Sequence, residues 1–135
     1  MAGRKTILLT KLELEVMREV WEAKPIALTA RDVVDRMNRS RSKSLAYNTV
    51  QTVLKILEDK RVVVSEPGPG RAHLFRPRVS RDQVSTSMIG DLVDRLYDGE
   101  VEPLLVHLVG NEKLSRDELL KLREIIDSQL DDEGT

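Results

Sequence analysis

Ala46-Tyr47-Asn48-Thr49-Val50-Gln51-Thr52-Val53-Leu54-Lys55-Ile56-Leu57 is the stretch whose reading decides the fold. At about 100° per residue, with Asn48 at zero, Thr49, Gln51, Thr52 and Lys55 fall in an arc from about −60° to +100°. Tyr47, Val50, Val53, Leu54 and Leu57 fill the opposite arc. The pattern predicts an amphipathic helix with one buried side. Its polar side is unusual, because amides and hydroxyls stand where Glu and Lys ordinarily would. Amides can bond bidentately to adenine, and a threonine methyl can pack on the thymine methyl, so such a face suits the reading of base edges in a DNA major groove.

The neighbours extend this reading. Upstream, Thr10-Lys11-Leu12-Glu13 has the spacing of a capping box and predicts a helix to about Ala23, with Val16, Met17, Val20 and Trp21 inward and Pro25 as the stop. Thr29-Ala30-Arg31-Asp32 repeats the signal for a second helix to about Asn38, burying Val33, Val34 and Met37. A basic, Ser-rich link, Arg39 to Ser44, leads into the opening stretch, with Ser44 as the expected cap of a helix running to about Lys60. No acidic residue lies between Asp35 and Glu58. Downstream, Val62-Val63-Val64 reads as a strand, Glu66 to Gly70 as a turn and Arg71 to Arg76 as a returning strand. Three helices followed by a hairpin is the order of a winged helix-turn-helix.

From Ser80 the character changes. Ser80-Arg81-Asp82-Gln83 predicts a cap and a helix to about Tyr97, ended by Gly99. A short apolar helix is expected from Val101 to Val109, broken by Gly110-Asn111, and a last helix opens at Ser115-Arg116-Asp117-Glu118. Residues from Asp131 onward are expected to fray. Residues 1–78 carry 16 Lys and Arg against 9 Asp and Glu, whereas residues 79–135 carry 6 against 14. A basic half joined to an acidic half suggests a polyanion-binding module followed by a region that avoids the polyanion. We therefore expect a mainly α chain with a β-hairpin wing: residues 1–78 a winged-helix DNA-binding domain, residues 79–135 a helical dimerisation domain. The wide apolar faces of the second region (Met88, Leu92, Leu96, Leu104, Leu105, Leu108, Leu119, Leu122 and Ile126) are the expected homodimer contacts.

Asn48, Thr49, Gln51 and Thr52, with Lys55 and Tyr47, are the candidate base and backbone contacts. Arg36, Arg39, Arg41 and Lys43 are candidate phosphate contacts, which position a protein on a duplex without specifying sequence. Arg71 and His73 are the candidate wing contacts. With no cysteine, two histidines and neither a P-loop nor a nucleophile elbow, catalysis, a thiolate metal site and a cofactor are all unsupported. No apolar run reaches transmembrane length and no signal-peptide pattern is present, so the expected location is the cytoplasm. The competing expectation is a winged-helix module that binds protein rather than DNA, motivated by the acidic second half.

Several strings, in order, resemble the penicillinase-repressor (BlaI/MecI) family. They are Leu12 to Met17 with Trp21-Glu22, Thr29 to Val33, Ala46 to Leu54, Gly70 to Phe75, and Asn111 to Ser115 with Glu118-Leu119. The resemblance implies a dimeric repressor on a palindromic double-stranded operator, with base contacts on the helix beginning near Ala46. Some members of that family are inactivated when a sensor-linked protease cuts an Asn–Phe bond in the dimerisation region. The corresponding stretch here is Val106-His107-Leu108, which puts that partner in question. Two further departures are Lys60-Arg61 where the family has Lys-Gly, and Ile56 where it usually has arginine. The missing cysteines remove the copper ligands of one branch.

Overall fold

The computed structural model describes residues 6–111 and 113–134; Glu112 and Thr135, named above in the resemblance and the tail, lie outside them. The elements are α1 (Lys11–Ala23), α2 (Ala30–Asn38), α3 (Tyr47–Asp59), β1 (Val63–Pro67), β2 (His73–Pro77), α4 (Arg81–Tyr97), α5 (Glu102–Asn111) and α6 (Arg116–Glu133). Three helices and an antiparallel hairpin make a winged helix-turn-helix head, as the order of signals predicted. The chain forms two compact units, Met1–Asp91 and Leu92–Thr135. The division falls inside α4 rather than at residue 78, because Val84 belongs to the core of the head and Met88 packs against it. Met88, expected at a dimer contact, is thus already half-covered within its own chain.

Local chemistry sets the helix starts. Thr10 and Thr29 each accept from the backbone N–H three residues on, while Glu13 and Asp32 accept in return from the cap N–H. Ser80 with Gln83, and Ser115 with Glu118, close the same reciprocal pair. Helix α3 is the exception. Its cap is Ala46, not Ser44, and no side chain caps it. The link is fixed from behind instead: the Asn38 amide donates to Leu45 O (3.1 Å) and accepts from Leu45 N–H (2.8 Å).

The end of α3 keeps its left-handed residue without glycine. Arg61 has φ +62°. Its N–H bonds Glu58 O and that of Val62 bonds Leu57 O, both at 2.9 Å. This is the Schellman closure, completed by Leu57 and Val62, both fully buried. A left-handed conformation costs a residue with a Cβ about 1–2 kcal/mol, and the buried contact at Val62 holds Arg61 in it.

The head core is aliphatic: Val16, Met17 and Val20 of α1, Val33, Val34 and Met37 of α2, and Val50, Val53, Leu54 and Leu57 of α3 meet Val62 and Val63. Trp21 is only half-buried, and its Nε1 donates to Val79 O at 2.9 Å. Glu13 is buried too, at 5% exposure. It accepts from Lys60 Nζ (2.8 Å), which also donates to Leu8 O (3.1 Å). Burial alone would raise its carboxyl; the Lys60 ammonium and the Thr10 N–H outweigh that and hold it below the ordinary range.

The hairpin register pairs Val63 with Pro77 and Pro67 with His73. The first strand therefore runs into the expected turn as far as Pro67, and Arg71 sits in the loop rather than on a strand. Gly70 turns that loop with φ +62°. On the other side of β2, Leu28 and Phe75 exchange backbone bonds of 3.1 and 2.7 Å, which ties the α1–α2 connection to the wing.

In the second unit two expectations change. Gly110 does not break α5, which continues to Asn111, and α6 stays helical through Glu133 instead of fraying from Asp131. Neither α5 nor α6 buries a residue among the described ones.

Candidate nucleic-acid interface

Helix α3 sorts its side chains as the angular reading requires. Val50, Val53, Leu54 and Leu57 are buried, while Asn48, Thr49, Gln51, Thr52 and Lys55 are exposed. The side-chain amides of Asn48 and Gln51 are exposed and make no hydrogen bond among the described residues. Thr52 donates its hydroxyl to Asn48 O (2.9 Å), which fixes its rotamer and leaves the methyl and an acceptor lone pair outward. Ile56 is exposed on the same helix, an apolar group on an otherwise polar side.

Tyr47 is half-buried against the core. The Arg31 guanidinium lies 4.7 Å from its ring centre, a cation–π stack that fixes a cation at the entry of α3. Sequence reasoning used Arg31 only as part of a cap and missed this. The signal was present in part, since Arg31 is an exposed cation in the first turn of α2, where the helix dipole does not favour one.

The four expected phosphate contacts separate into two pairs. Arg39 and Lys43 are exposed and form no ion pair among the described residues. Arg36 and Arg41 are drawn onto α1: Arg36 Nε lies 3.3 Å from Glu19, and Arg41 Nη1 lies 2.7 Å from Glu15. On the wing, Arg71 and His73 are both exposed. Arg76 is committed elsewhere, to Glu66 (2.7 Å) and Pro25 O (3.0 Å). Ser65 donates to Glu58, joining the wing to the end of α3. Among the described residues no three potential metal ligands cluster, and no helix is long and apolar enough to cross a membrane.

The family model of the penicillinase repressors matches residues 9–128, taking in the head, its exposed α3 face and most of the second unit. The chain belongs to the penicillinase repressor family. Among curated members of this family, the chain is 33% identical to the transcriptional regulator BlaI of Mycobacterium tuberculosis, over 85% of this chain and 80% of that one. It is 24% identical to the penicillinase repressor of Bacillus licheniformis, over 85% and 86%. It is 20% identical to that of Staphylococcus aureus, over 92% and 94%. Among solved structures, a mutant of MepR from a multidrug-resistant S. aureus clinical isolate aligns over 92% of this chain and 78% of its own, with a TM-score of 0.44 and 16% identity. Membership of the penicillinase repressors makes this a winged-helix transcription regulator.

Proposed function

We propose that this protein is a sequence-specific repressor that binds a palindromic operator as a homodimer. The observation that carries the reading is the exposed face of α3, whose Asn48 and Gln51 amides are unengaged among the described residues, opposite the buried Val50, Val53, Leu54 and Leu57. Asn48, Thr49, Gln51 and Thr52 read base edges in the major groove. Lys55, Arg39 and Lys43 hold phosphates, and Arg31 joins them from its place on Tyr47. Arg71 and His73 carry the wing to the backbone or minor groove. The uncovered leucines and isoleucines of α5 and α6 form the dimer contact, so two heads present matched half-sites. The protein works in the cytoplasm, where its DNA is.

The test is selection of bound sites from random duplexes, followed by titration of the best one in rising salt. We expect an inverted repeat, and affinity that falls linearly with log salt, because each neutralised phosphate releases counterions. Weak binding to every duplex, flat in salt, would overturn the reading. The ion pairs of Arg36 and Arg41 with α1 favour one alternative, a winged-helix module that binds protein, since they withdraw two cations from phosphate. Flat, weak DNA binding together with a defined dimer would support it.

A further inference from the structure

The head carries a second feature that DNA reading does not use, centred on Trp21. This is the only tryptophan of the chain. Its indole N–H is already committed to Val79 O at 2.9 Å, so its orientation is fixed. The Arg81 guanidinium lies 5.5 Å from the ring centre. Two hollows, each lined by both Trp21 and Arg81, measure about 520 and 420 Å³. Both lie within the size range of small-molecule sites.

The linings differ in a useful way. The larger hollow has Lys24 and Arg78 beside Arg81, with Glu22 as its one carboxylate. The smaller has Leu14, Met88 and Ile89 as apolar walls and Arg18 at its edge. Elsewhere in the head the basic side chains Arg36, Arg41, Lys60 and Arg76 are each matched to a carboxylate. Arg18, Lys24 and Arg78 are in no ion pair among the described residues. The hollows therefore combine an aromatic face, an apolar wall and uncompensated positive charge. A guanidinium stacked on an aromatic ring keeps its edge donors free for a planar carboxylate, to which they can bond in a fork.

We propose that the larger hollow of the Trp21–Arg81 cleft binds a small aromatic carboxylate, its ring against Trp21 and Pro77, its carboxylate on Arg81 and Arg78. The larger hollow is built from the end of α1, the segment after β2 and the first turn of α4. The ligand thus touches three elements at once, and none of the α3 face.

The single indole resonance in a nitrogen-15 correlation spectrum of the full chain tests this. The probe is 2-naphthoate, titrated at constant ionic strength, with the neutral 2-naphthamide as its control. We expect a saturable shift of the Trp21 signal with half-saturation at about 1 mM or below, the range set by ligand efficiency for so small a molecule. The amide should bind about tenfold more weakly, for want of the charged hydrogen bonds. Arg81→Gln and Arg78→Gln should each weaken naphthoate while leaving the amide unchanged; the Arg78 side chain has no ion pair or hydrogen bond among the described residues, so its variant keeps the test valid if Arg81→Gln perturbs folding. No saturable shift, equal shifts with acid and amide, or a shift that follows protein concentration alone would each overturn the proposal. The last of these would assign the cleft to a second copy of the chain.

Discussion

Leu54 and Leu105 are both leucines in the middle of a helix, yet Leu54 is fully buried while Leu105 is 54% exposed. The same contrast runs through their surroundings. In the head, three helices and a hairpin close over one aliphatic core, and each apolar stripe finds a partner within the chain. Helices α5 and α6 also carry many leucines, isoleucines and valines, but no described residue in them is buried. An apolar helix face is stable in water only against something. The head can therefore fold on its own contacts, whereas α5 and α6 call for a second surface, which the proposed homodimer supplies.

The most damaging change to this contrast is Leu105→Asp combined with Leu122→Asp. It should leave the head's melting transition in place but give monomers in sedimentation. Operator affinity should fall by about a hundredfold or more, because two linked heads become two independent ones. If the pair instead unfolds the head, the division into a self-sufficient and a dependent region is wrong. The converse change is Leu54→Ala, expected to destabilise the head by about 2–5 kcal/mol in denaturant unfolding, with the oligomeric state intact in mild conditions. Next in size is Asn48→Ala, which should lose about 1–3 kcal/mol of discrimination between operator and scrambled duplex in mobility shifts. Stability should not change, since Asn48 is exposed.

Two smaller effects probe how the head is sewn together. Arg61→Gly should stabilise it by about 1 kcal/mol by relieving the left-handed backbone, offset in part by glycine's entropy, read as a rise in melting temperature. The Glu13–Lys60 pair should show in the acid limb of stability. The Glu13 carboxyl is lowered from 4.5 in the folded head. Its contribution is thus complete above that value and is lost as pH falls through the lower folded one. Glu13→Gln should flatten this limb, measured by unfolding at a series of acidic pH values; an unchanged slope would remove the pair from the account.

What was legible in the sequence follows from the range of each interaction. Four capping pairs span three residues each, so spacing alone located Thr10, Thr29, Ser80 and Ser115. The α3 face was legible for the same reason, as a helix repeats within a few residues. The contacts that escaped are distant ones. Glu13 meets Lys60 across 47 positions, Glu15 meets Arg41 across 26 and Glu19 meets Arg36 across 17, so no local pattern reveals that the two expected phosphate ligands Arg36 and Arg41 rest on α1. Arg31 on Tyr47 is of the same kind. Ser44 failed as a cap because Asn38 satisfies Leu45 from behind, leaving Ala46 to open the helix. Helix α6 continues past Asp131 because no Gly or Pro interrupts it before Gly134.

The backbone exchange between Leu28 and Phe75 has a consequence for how these heads behave when crowded. A two-stranded hairpin has two open edges, and each is a template on which another chain can add a strand. Leu28 occupies the outer edge of β2 at its centre, so only β1 keeps a free row of amides and carbonyls. Pro67 and Pro77 stand at the ends of the two strands, where neither offers an amide hydrogen. In the proposed homodimer, two copies held close would present few strand edges to each other, and their wings are poorly suited to joining into a shared sheet.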